Sequence, residues 1–181
     1  MKTATWQRRD LLKFGAASAL MATPGLAAAA QLDGPRELAF HNLHTGESLK
    51  AIFWDQGDYV PDALQAVNHV LRDFRTGDVH PIDPELLTLL DRLQRRVETR
   101  SPFQVISGYR SPRTNAMLHE HSAGVANKSL HMQGMAIDIR LQDIALSDLH
   151  NAALSLQGGG VGYYPTSDFV HVDVGRIRRW G

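Results

Sequence analysis

The sequence predicts an α+β fold in a single domain, with a small antiparallel sheet and flanking helices. Three observations carry that reading. Residues 135–140 and 169–174 alternate apolar and polar side chains with period two, as strands buried on one face do. Two segments opened by Pro61 and Pro84 repeat apolar residues at a period near 3.6, the pattern of helices laid on a core. The chain has 181 residues, 43% of them hydrophobic, with no internal repeat or linker, which suits one such core.

The elements follow in order. Residues 37–54, ELAFHNLHTGESLKAIFW, place two aromatic and aliphatic stretches around His44-Thr45-Gly46-Glu47 and read as a hairpin. Pro61 opens a first helix with Leu64, Val67, Leu71 and Phe74 on one face. Asp83 caps a second, with Pro84 at its first position and Leu86, Leu90, Leu93 and Val97 as its stripe. The strand FQVIS, 103–107, runs into Gly108-Tyr109-Arg110-Ser111-Pro112, and Pro112 starts a short helix through Asn115 and Leu118. HEHSAGVANKS, 119–129, is polar and rich in small residues, the composition of a loop beside a site. After the strand in GMAIDIRL, Ser147 is expected to cap a helix over 148–156 that Gly158-Gly159-Gly160 breaks. GVGYY and FVHVDV close the domain as strands.

The first thirty residues stand apart. Paired Arg8 and Arg9, then Leu11, Leu12 and Lys13, precede a short apolar run that ends in an Ala-x-Ala site, which resembles a twin-arginine export signal. The run from Phe14 to Leu26 is well short of the ~20 residues a bilayer span needs. The expected organisation is therefore a cleaved signal, 1–30, and a periplasmic domain, 31–181, without a membrane span. Taking Lys2, Arg8, Arg9, Lys13 and Asp10 from totals of 19 basic and 19 acidic residues leaves 15 and 18. That mild negative balance gives no case for nucleic acid. The chain has no cysteine, so disulfides and thiolate metal sites are excluded, and any metal must rest on imidazole and carboxylate.

The chemistry gathers on two strands. In GMAIDIRL, Met135, Ile137 and Ile139 share one face, and Ala136, Asp138 and Arg140 the other; in FVHVDV the valines share one face, and Phe169, His171 and Asp173 the other. His131 lies just before the first of these strands, across Gly134, where the backbone can turn sharply enough to bring the imidazole beside Asp138. If the two strands are neighbours, His131, Asp138 and His171 offer two nitrogens and one oxygen. Three such ligands with a fourth position open are the arrangement of a catalytic zinc ion.

Three motifs in combination, S-x-H-x-x-G-x-A-x-D (Ser129 to Asp138), F-V-H-V-D-V-G (Phe169 to Gly175) and S-G-Y-R-S (Ser107 to Ser111), resemble the zinc D-alanyl-D-alanine peptidase superfamily. Within it the chain is most similar to the YcbK-like murein endopeptidases. The resemblance implies an α+β fold with the zinc site on the sheet face, one zinc ion held by His131, Asp138 and His171, and hydrolysis of peptide bonds in peptidoglycan. Zinc activates water and polarises the scissile carbonyl, while a carboxylate base relays the proton to the leaving amine. Arg110 matches the arginine of the GYR motif, placed for the oxyanion or a substrate carboxylate. The superfamily often carries an acidic residue three positions before the last zinc histidine, which makes Asp168 the preferred base. Asp173 is its competitor for that role, and otherwise a partner that orients a ligand imidazole. A cross-link endopeptidase is the leading expectation, and a carboxypeptidase stays open as its close variant, because the choice depends on whether the groove is open at both ends. A monomer is expected, and a protein that binds murein peptides without cutting is the alternative from another class.

Neighbouring residues have plainer readings. His119 and His121 lack partner spacing and read as solvated; Ser129 reads as a hydrogen-bonding support for its loop rather than a nucleophile. Tyr163, Tyr164 and Trp180 read equally as packing residues or as the lining of a groove for a glycopeptide.

Overall fold

The computed structural model describes residues 34–121 and 126–181. The export signal read over 1–30 and part of the loop over 119–129 lie outside them. The expected hairpin is present: β1 (Arg36–Asn42) and β2 (Ser48–Asp55) pair antiparallel, and the Asn42 side chain closes the turn by accepting the N–H groups of His44 and Thr45. A two-residue strand, β3 (Asp58–Tyr59), turns back onto β2.

Helices α1 (Pro61–Val70) and α2 (Pro84–Arg96) start at the two prolines, and Asp83 accepts the Glu85 N–H as the cap of α2. Leu86, Leu90 and Leu93 of the α2 stripe are fully buried, each worth about 1.5–3 kcal/mol in apolar surface removed from water. α1 ends sooner than its apolar stripe suggests. The Leu71 carbonyl, which would continue the helix, accepts the Tyr109 N–H at 2.8 Å instead. Phe74 lies past the helix end and stacks on His44, their rings 3.7 Å apart.

Beyond these helices, β4 (Phe103–Ser107) runs parallel to β1 and antiparallel to β5 (Ala136–Arg140), with α3 (Pro112–His121) between them in sequence. α4 (Leu146–Leu156) begins earlier than expected, because Asp148 and Leu149 both donate to the Ala145 carbonyl; Ser147 sits inside the first turn and is not the cap. β6 (Gly160–Tyr164), β7 (Phe169–Asp173) and β8 (Arg178–Trp180) complete an eight-stranded sheet in the order β3-β2-β1-β4-β5-β7-β6-β8. All pairings are antiparallel except β1 with β4 and β6 with β8. The sequence reading contains neither β3 nor β8, whose two and three residues are too few to show a period.

One face of the sheet is covered: α1 packs on β2, α2 on β1, and α4 on β6 and β7. Phe40, Phe103, Ile137, Ile139, Val170 and Val172 point into that core. By strand alternation the opposite face receives Asp138, His171 and Asp173.

Candidate metal centre

β5 and β7 are neighbours, and their register sets Asp138 opposite His171. His131 arrives from a single 3-10 turn (Leu130–Gln133) that the Ser129 hydroxyl starts by accepting the His131 N–H. Gly134 ends the turn at φ +68°, in the left-handed region, and a Cβ there would stand 2.2 Å from the Pro81 carbonyl oxygen. Only glycine meets both conditions. The turn brings the imidazole back over β5, and His131, Asp138 and His171 are all buried.

Their ligating atoms converge. Nε2 of His131 lies 3.2 Å from Nδ1 of His171 and 3.3 Å from Oδ1 of Asp138, and the last two are 2.8 Å apart. A tetrahedral metal with bonds of about 2.0–2.2 Å sets neighbouring ligand atoms about 3.3–3.6 Å apart. Two of the edges are close to that length, and the third is that of a charge-assisted hydrogen bond. Each imidazole has its far nitrogen committed: His131 donates through Nδ1 to the Gly108 carbonyl at 2.7 Å, and His171 through Nε2 to Asp173 at 3.0 Å. These bonds decide which nitrogen faces the cluster.

The electrostatics suit a cation. Burial alone would raise the Asp138 carboxyl, but the charge and hydrogen bonds of His131 and His171 hold it well below its ordinary 3.8. Burial alone would lower His171; hydrogen bonds to Asp138 and Asp173 outweigh it and raise the imidazole to about 9. Asp173 is fully buried and accepts from Gly160 N, Gly175 N, both terminal nitrogens of Arg178 and His171.

Arg110 stands beside the cluster, its backbone N–H on the His131 carbonyl and its Nη2 3.8 Å from Asp138. Nη1 reaches Asn115 at only 3.5 Å, and the buried Nε makes no hydrogen bond among the described residues. The guanidinium thus keeps donor capacity in hand. A cavity of about 500 Å³ opens here, walled in part by Arg110, Lys128, Tyr164, Phe169, Arg178 and Trp180.

Asp168 is placed differently from the cluster. It ends a 3-10 turn (Pro165–Ser167) at φ +55°, and its carboxylate meets Nη1 of Arg140 at 2.5 Å rather than lining the cavity. His119 and His121 lie exposed at the end of α3, outside the metal-ligating group. Tyr164 and Trp180 line the cavity, joined by an indole N–H to hydroxyl bond of 2.8 Å, whereas Tyr163 stacks on His150. Sequence reasoning missed Arg178, which no motif marked.

A family profile described as "Peptidoglycan L,D-endopeptidase MepK" matches residues 30–180. The chain belongs to the MepK family. A protein of that name from Escherichia coli K12 is 48% identical over 176 residues, 96% of each chain. One from Haemophilus influenzae, named a probable peptidoglycan L,D-endopeptidase MepK, is 44% identical over 147 residues, 81% of this chain and 79% of its own length. The MepK match takes in the whole cluster and its surroundings, Arg110, Asp168, Asp173 and Arg178 included. A resemblance first visible in three short motifs therefore extends across the entire described domain.

Proposed function

We propose that this chain is an exported zinc peptidase that cuts peptide cross-links in peptidoglycan, an L,D-endopeptidase as its relatives are named. The observation that carries the reading is the convergence of His131 Nε2, His171 Nδ1 and Asp138 Oδ1 beside a cavity with a donor-rich guanidinium in its wall. Two imidazoles and one carboxylate, with no thiolate and with both remote nitrogens committed, fit zinc with a position left for chemistry. When bound, zinc supplies Lewis acidity, polarising the scissile carbonyl and acidifying water. This chain's own residues supply the rest.

Arg110 takes the negative charge, either the developing oxyanion or a substrate carboxylate, on the donors it has in hand. Asp168 serves as base, moving the proton from water to the leaving amine. To reach the cavity it must leave Arg140. Asp168 is exposed and Arg140 half-buried, so their pairing is that of a surface ion pair, worth about 1 kcal/mol, and does not hold Asp168 back. Asp173 is unsuited to that role, since burial and its N–H partners leave no lone pair to receive a proton; it orients His171. Arg8 and Arg9 mark the chain for export in the folded state. Replacing both by Lys is expected to trap it in the cytoplasm, as fractionation would show. Among the described residues no helix is long and apolar enough to cross a membrane.

One observation favours a second reading, a murein-binding protein that does not cut: among the described residues lining the cavity the only carboxylate is Asp138. Digestion of purified sacculi separates the two. Cross-linked muropeptides are expected to fall with the wild type and to persist with Asp138→Ala. Unchanged cross-linking by a wild type that still binds sacculi overturns the enzyme reading.

A further inference from the structure

The final strand is built against a gap in its neighbour. β8 carries Arg178 and Trp180 two residues apart, β6 carries Gly160 and Gly162 two residues apart, and the register sets Gly160 opposite Arg178 and Gly162 opposite Trp180. The match is steric. A Cβ on Gly160 would stand 2.5 Å from Arg178 Nη1 and 2.5 Å from Asp173 Oδ2, and one on Gly162 would stand 2.6 Å from Trp180 Cε2. Both long side chains therefore cross β6 over bare backbone and end at β7. Trp180 comes to rest with its ring 5.1 Å from that of His171, and the Arg178 guanidinium lies 4.9 Å over the same indole.

Arg178 ends on Asp173 as a fork on a fork, Nη1 to Oδ1 at 3.1 Å and Nη2 to Oδ2 at 2.7 Å. Oδ1 also takes the N–H groups of Gly160 and Gly175, at 3.0 and 2.9 Å, and Oδ2 takes Nε2 of His171 at 3.0 Å. Without the fork the carboxylate would be held at Oδ1 by two backbone N–H groups but at Oδ2 by His171 alone. Held at both oxygens, it keeps one of them against the far nitrogen of His171, which leaves Nδ1 turned to the cluster. We propose that Arg178 is a positioning residue for the metal centre, acting through Asp173 to present Nδ1 of His171, with Gly160 and Gly162 required for β8 to reach across. The identity of the metal rests on the zinc peptidase reading above.

The test is zinc affinity, measured by chelator competition on the exported chain, beside melting temperatures with and without zinc. Arg178→Gln is expected to weaken zinc about 10–100-fold, the range seen when a partner behind a metal ligand is lost. Arg178→Lys keeps the charge without the fork and should recover only part of that loss. Gly162→Ala, which displaces Trp180 from its seat on β6, should weaken zinc with Arg178 still present, and Arg179→Gln, an exposed neighbour, should change nothing. A purely structural Arg178 would lower both melting temperatures equally and leave the increment from zinc intact, whereas positioning shrinks that increment. Cobalt-substituted Arg178→Gln should also show a shifted visible spectrum. Should Arg178→Gln fail to fold, Arg178→Lys and Gly162→Ala decide. Wild-type affinity in both overturns the proposal and leaves the peptidase reading standing; a wild type that takes no zinc overturns the peptidase reading and this inference with it.

Discussion

Asp73 makes a measurable prediction about how the arginine loop is held. It is 1% exposed, just past the end of α1. Its Oδ2 accepts the Ser111 N–H at 2.9 Å and the Ser111 hydroxyl at 2.7 Å, and its Oδ1 accepts the Arg75 N–H at 2.9 Å. Burial alone would raise this carboxyl, but hydrogen bonds from Thr114, Ser111 and Arg75 outweigh it and hold it at about 2 against an ordinary 3.8. Asp73→Asn keeps the shape and removes the charge. A depression of nearly two pKa units, at about 1.4 kcal/mol each, makes the charge worth roughly 2–3 kcal/mol. Because the folded value lies below the unfolded one, that stability is complete above about pH 4 and is lost as pH falls toward 2. The expected result in urea unfolding is a gap of about 2–3 kcal/mol between wild type and Asp73→Asn at pH 7 that narrows steadily below pH 4. The depressed carboxyls of Asp138 and Asp173 are common to both proteins and cancel in the difference. A gap that is constant with pH, or absent at pH 7, would refute the reasoning. Ser111 follows Arg110 directly, so the same substitution should also slow hydrolysis.

The candidate metal centre and its turn give further expected outcomes. Gly134→Ala combines a left-handed φ with a Cβ driven against the Pro81 carbonyl, so it should lose more than about 1–2 kcal/mol in urea unfolding and shed metal as His131 moves; unaltered stability would mean that the turn can slide. Metal analysis should find about one zinc per chain in the wild type and in Asp168→Ala, and none in Asp138→Ala. Wild-type cutting rates in Asp168→Ala would remove that residue as base. Arg110→Lys should keep its zinc yet cut cross-linked muropeptides about 10²–10³-fold more slowly, the loss expected when a preorganised charge donor is misplaced; a small change would confine Arg110 to a supporting role.

Strand alternation made the polar face of FVHVDV legible, because period two assigns each side chain to a face whatever the strand's neighbours are. Alternation cannot report adjacency. β5 and β7 are separated in sequence by α4 and β6, and only their pairing, Asp138 opposite His171, turns two half-sites into one. Helix ends were less legible than helices, since α1 stops where Tyr109 claims the Leu71 carbonyl, a partner far along the chain. Asp168 shows the same limit from the chemical side. Its place three residues before His171 is plain in the sequence, but the Arg140 that engages it comes from another strand.

Arg178 marks the deepest of these limits. In the sequence, Gly158-Gly159-Gly160 reads as a helix breaker and Gly162 only as part of the strand GVGYY, although glycine in a strand interior weakens it by leaving nothing to pack. Trp180, for its part, reads as a packing residue or the lining of a groove, and no motif marks Arg178. Each of these readings treats a residue by its own properties, whereas the missing side chains on β6 acquire meaning only when β8 lies alongside in parallel register. A glycine pair and an arginine–tryptophan pair, each two residues apart, are a single feature split between two strands. That pairing places a directional constraint on the sequence: a larger residue at 160 meets Asp173 Oδ2 as well as Arg178 Nη1, so shortening Arg178 relieves only one of the two clashes and takes from the buried Asp173 its arginine partner. The two positions should therefore fail separately and fail together, because no local exchange restores the fork on Asp173.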